Sequence, residues 1–145
     1  MYRELLGGYI SNHNWARLQN PCSEDDIQAT EKYVGFSFPE ELKNLLRETN
    51  GDHWLLMSTS EIREKVKSDR DIYPEYLDDE EFEEKIMRYI FFATNGCGDY
   101  YCYKVNSDGL TEPSAIYFWQ HENFEACKIS DSIEELISKY YSDEI

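Results

Sequence analysis

The chain is poor in positive charge. Only 14 Lys and Arg stand against 30 Asp and Glu, a formal charge of -16, so DNA, RNA and anionic membrane surfaces are repelled over most approaches. No run of about 18 apolar residues occurs, and Met1 to His13 has no basic run leading into an apolar stretch. A cytoplasmic chain without export signal or membrane anchor is expected. Cysteine is sparse: Cys22, Cys97, Cys102 and Cys127 match no paired metal-ligand spacing, and His-Glu-x-x-His is missing, so neither a metal nor a cofactor is expected. There is also no internal repeat, no Pro/Gly/Ser-rich linker and no low-complexity segment, which makes one domain over residues 1–145 the expectation.

Aromatic residues, by contrast, are plentiful: 22, or 15% of the chain. They bring large apolar area at low rotamer entropy, which suits both a core and a contact surface. The net acidity points to a basic partner, although charge alone also serves solubility.

The order of elements can be read from periodicity. Tyr2, Leu5, Leu6, Tyr9 and Ile10 recur at helical spacing. Ser23 can cap a helix over residues 24–34, with Gly35 placed for a left-handed C-terminal cap. Pro39 suits the first turn of the next helix, whose buried stripe is Leu42, Leu45 and Leu46, and Asn50-Gly51 stops it. Trp54 to Met57 predicts a short strand, and Ser58 to Arg70 an amphipathic helix through Ile62 and Val66. Glu75 to Glu84 holds seven acids and no base, opening a helix at Asp78 or Asp79 that Phe82 and Ile86 hold down. The period then changes. Tyr89–Thr94, Asp99–Asn106, Ser114–Gln120 and Glu125–Ser130 read as an antiparallel meander. A last helix starts after Ser130, Asp131 or Ser132 as caps, with Ile133, Leu136, Ile137, Tyr140 and Tyr141 on one face. The expected fold is α+β: a largely antiparallel sheet of about four to six strands with N-terminal helices and a C-terminal helix packed against it.

The most enzyme-like grouping is Cys97, Asp99 and His121, because a thiol nucleophile needs an imidazole to deprotonate it and a carboxylate to orient that imidazole. The simpler reading is a tight loop, Asn95-Gly96-Cys97-Gly98-Asp99, whose glycines permit positive φ between two strands. That loop also fails as a phosphate cradle, since no Lys or Arg comes after it and Asp99 opposes an anion.

Four blocks then resemble the SUKH superfamily, the Smi/Knr-like fold. They are Trp15, Asn20-Pro21, Ser23 to Ile27, Glu31, Phe38-Pro39, Leu42, Leu45-Leu46 and Asn50-Gly51; Asn95-Gly96 with Gly98 to Tyr101; Ile116 to Glu122; and Ser132 to Ile137. They stand in the family's order over residues 15–141, while Ser58 to Met87 lies outside the resemblance. The resemblance implies a mixed sheet with helices, no catalytic residues, and a bacterial immunity protein that occupies a toxin, a basic nuclease among the candidates. Fungal relatives imply the alternative, a regulatory scaffold for cell-wall synthesis.

Parity along the third strand places Ile116 and Phe118 on one side and Tyr117 and Trp119 on the other; likewise Tyr101, Tyr103 and Val105 oppose Tyr100 and Lys104. If the first sets face the helices, an outward partner-binding set results: Asp99, Tyr100, Tyr117, Trp119, His121 and Glu122. Aromatic anchors ringed by charge are typical of binding hot spots. The competing reading makes Trp119 a core residue beneath another helix, since large aromatics are buried on average.

Overall fold

A computed structural model describes all residues from Met1 to Ile145. Helix α1, Tyr2–Ile10, buries Tyr2 and Leu6. Helix α2, Glu24–Val34, starts where the Ser23 hydroxyl accepts the Asp26 N–H at 3.2 Å. Glu24, Asp25 and Asp26 face its positive dipole end, and Gly35 closes it at φ 99°. Helix α3, Glu40–Glu48, buries Leu42, Leu45 and Leu46; Pro39 stands one residue outside it, as the N-cap.

Asn50-Gly51 carries the chain from α3 to the sheet edge. A Cβ on Gly51 would lie 2.8 Å from Leu56 O and Ser58 N, so only glycine allows this backbone crossing. Leu55 to Met57 then runs along that edge: Met57 N–H donates to Phe92 O and Thr94 N–H to Leu55 O, each at 2.9 Å. The expected short strand is thus a brief edge pairing. Asp52 is buried beside it, accepting from the N–H groups of Trp54 (2.9 Å) and Leu56 (2.8 Å) and from the Tyr141 hydroxyl. Burial raises its carboxyl above the usual range against those donors.

Helix α4, Thr59–Ile72, is better built than the sequence pattern alone suggests. Ser58 and Glu61 form a reciprocal capping box. A 3₁₀ turn at Tyr73–Glu75, the short helix α5 (Asp79–Phe82) and a π turn at Glu83–Met87 lead into the sheet. Asp78 caps α5, while the seven acids of this segment are all exposed.

The sheet is a four-stranded antiparallel meander in the order β1 (Tyr89–Thr94), β2 (Tyr100–Lys104), β3 (Ile116–Trp119), β4 (Ala126–Ser130). Helix α6, Ile133–Tyr141, is capped by Ser132 and buries Ile133, Leu136, Ile137 and Tyr141. One sheet face meets the helices: Ile90, Phe92, Tyr101, Tyr103 and Ile116 join a cluster that runs from Tyr2 to Tyr141. Phe91 alternates to the other face, and a bulge between Phe91 and Ala93 leaves the consecutive residues Phe92 and Ala93 both on the helix side. The architecture is α+β, with helices packed on an antiparallel sheet.

The opposite face is not free. Phe91, Cys102 and Trp119 form a second cluster with Ile86, against which Tyr73, Leu77 and Phe82 pack. The segment from Tyr73 to Met87 therefore lids the face that β-strand parity would otherwise leave open. The parity itself holds, since Tyr100 and Tyr117 pack with Trp119; its exposure does not.

Candidate functional site

The turn from β1 to β2 is set by Gly96 and Gly98, at φ 79° and 90°. Thr94 and Asn95 brace it: the Thr94 hydroxyl donates to Asp99 O at 2.9 Å, and Asn95 Oδ1 accepts the Cys97 N–H at 2.9 Å. Gly98 suits this turn because its φ of 90° strains any residue with a Cβ, and a Cβ there would also crowd His121 Nδ1 at 3.1 Å. This lets the turn after β3 close on the turn before β2. Asp99 Oδ1 accepts the His121 N–H at 3.0 Å and lies 2.7 Å from His121 Nδ1. Burial alone would raise the Asp99 carboxyl, but the backbone and ring of His121, with Asn95, hold it below the usual aspartate range.

His121 and Tyr100 line one wall of a cleft of about 570 Å³; Glu61, Glu64 and Lys65 of α4 line the other, with Tyr73 at one end. Glu61 and Glu64 are exposed, and Lys65 is buried in the floor. Lys65 Nζ lies 2.7 Å from Asp69 Oδ1 and 4.3, 4.7 and 4.9 Å from the ring centroids of Tyr100, Phe91 and Trp119. Aromatic faces and one carboxylate replace the water such an ammonium normally keeps. The dry surroundings push Lys65 down and Asp69 up, each toward its neutral form.

Of the residues expected to meet a partner, Asp99, Tyr100 and His121 come together at this cleft, and Glu122 is exposed on the adjoining turn. Tyr117 lies further along the covered face, half-buried, its hydroxyl donating to the Glu112 carboxylate. Trp119 is a correction. It is 0% exposed, and its indole N–H donates to Lys85 O at 2.9 Å. The backbone of the covering segment takes the polar end of the ring, so no partner reaches it. Cys97 is another departure from the enzyme-like trio: its exposed thiol opens onto an apolar hollow beside Tyr101, Phe118 and Tyr140, and only Asp99 and His121 pair.

Lys65, which lines the cleft, and its partner Asp69 are a buried pair that sequence reasoning misses, although the signal is present. They share the helical face that Ile62 and Val66 mark as buried, yet an i,i+4 ion pair is usually a surface feature. No group of His, Cys, Asp and Glu side chains gathers into a set able to hold a metal ion, and no helix is long and apolar enough to cross a membrane.

A comparison with curated proteins found no match. The model of the SMI1 / KNR4 family (SUKH-1) matches residues 21–139. That span takes in α2, the Asn50-Gly51 crossing, the cleft, the whole meander and most of α6, so the chain belongs to the SMI1/KNR4 (SUKH-1) family.

Proposed function

We propose that the protein is a one-domain cytoplasmic immunity protein, which neutralises a cognate basic, nuclease-like bacterial toxin by stoichiometric binding and not by catalysis. The observation that carries this reading, within the family, is the cleft between α4 and the β2 end of the sheet. Its rim carries the exposed carboxylates of Glu61 and Glu64, with Glu122 beside His121, around the half-buried ring of Tyr100. Such a surface suits the basic groove with which a nuclease holds phosphate. Asp99 acts through His121, fixing the imidazole over the cleft.

Co-purification with the product of the neighbouring gene, followed by titration of its toxic activity, tests the proposal. Activity should vanish at one equivalent, and Glu61→Lys with Glu64→Lys should weaken the complex by reversing the rim's charge. Turnover of the toxin by catalytic amounts would overturn the stoichiometric reading. The same family supports a regulatory scaffold for a cellular protein, which predicts no toxin gene alongside and no 1:1 inhibition.

A further inference from the structure

Two of the three tryptophans are exposed, and they touch. Trp15 and Trp54 are 48% and 46% accessible, with ring centroids 5.3 Å apart, whereas Trp119 is fully buried. Exposing one indole is common; holding two together in solvent needs a framework. Asp52 provides it. Its backbone carbonyl accepts the Arg17 N–H at 2.7 Å, bringing the Trp15 segment alongside, while its carboxylate holds the Trp54 N–H and the Tyr141 hydroxyl. His53, between them, takes φ 65°, a strained value for a residue with a Cβ, and the loop turns there as Trp54 emerges.

Around the indoles a hollow of about 260 Å³ is lined by His13, Tyr140, Tyr141, Asp143 and the aliphatic Ile145 as well. His13 stands edge-on to both Trp15 and Tyr141, at 5.3 and 5.1 Å. By liquid volume the hollow holds roughly nine waters, enough for one long side chain. Asp143, at φ 58°, curls the chain after α6 back over the opening. Its carboxylate has no ion-pair partner in the chain, and no Lys or Arg lines the hollow.

We infer that this aromatic box, which shares no lining residue with the α4 cleft, seats a single arginine or lysine side chain presented by a basic protein segment. Ring faces carry the negative part of the aromatic quadrupole, so several rings around one hollow favour a cation over an anion or a neutral group. Asp143 adds a carboxylate at the mouth, Glu144 stands next to it in the chain, and the molecule as a whole is at -16. An apolar side chain would satisfy the rings but not the carboxylate. The inference goes beyond the proposed function and does not depend on which toxin is cognate.

The test reads the three indole N–H signals of the full chain by NMR as capped tripeptides are added, with arginine, lysine or norleucine in the middle. The Trp15 and Trp54 signals should shift saturably with the arginine or lysine peptide, in the millimolar range, while the Trp119 signal stays fixed. The norleucine peptide should bind roughly fivefold more weakly or worse. Trp54→Ala should weaken the cationic peptides to a similar extent, and Asp143→Asn, an exposed change that leaves the core intact, by about twofold or more. Equal response to norleucine would overturn the cation assignment, and no response to any peptide at about 10 mM would overturn the site. Free arginine binding more tightly than the capped peptide would overturn the assignment to a protein segment.

Discussion

Trp119 makes T-shaped contact with Phe91 at 5.2 Å and packs on Phe124 at 5.9 Å, entirely out of water. Trp119→Ala is therefore expected to lower stability by about 3–5 kcal/mol, through lost burial and the cavity left behind. A urea midpoint close to wild type would contradict that placement. Asp99 predicts a pH effect. Its folded pKa lies below the unfolded value of about 3.9, so its contribution is fully present above that pH and lost as pH falls through the folded value. Asp99→Asn should be less stable than wild type at pH 7, and the difference should shrink below about pH 4. Urea midpoints at pH 7 and pH 3 that differ equally between the two proteins would exclude this role.

At the scale of elements, α4 holds the two clusters together: Ile62 and Val66 enter the larger, and Lys65 sits against the rings of the smaller. Lys65→Met strands the Asp69 carboxyl without its cation and is expected to cost about 3–5 kcal/mol. Adding Asp69→Leu should restore most of that loss, because an apolar pair of similar volume fits the same dry site. A double-mutant cycle with no coupling would show that the pair is solvated. The caps of α2, α5 and α6 and the four strands depend on residues a few positions apart, which is why they are legible in sequence. Tyr73 to Met87 is different. Leu77, Phe82 and Ile86 show that something is held down, but not that the sheet's second face is what they cover.

For the whole molecule, the -16 charge should act at long range. Association with a basic partner is expected to slow as salt rises through about 0.1–0.5 M, while dissociation changes much less. Stopped-flow association rates that stay flat across that range would leave the acidity without a role in recognition. By itself the sequence determined the helices, the meander, the inside-outside parity of Tyr101 against Tyr100 and of Ile116 against Trp119, and the family. Each depends on local periodicity or on short motifs, and local sterics and burial patterns suffice to set them. Only the tertiary structure decided that Trp119 is lidded, that Lys65 is caged, that Cys97 and His121 line different hollows, and that Trp15 meets Trp54 around one hollow. Those outcomes join residues far apart along the chain, so they depend on which surfaces close on one another, and the same apolar pattern is compatible with more than one such closure.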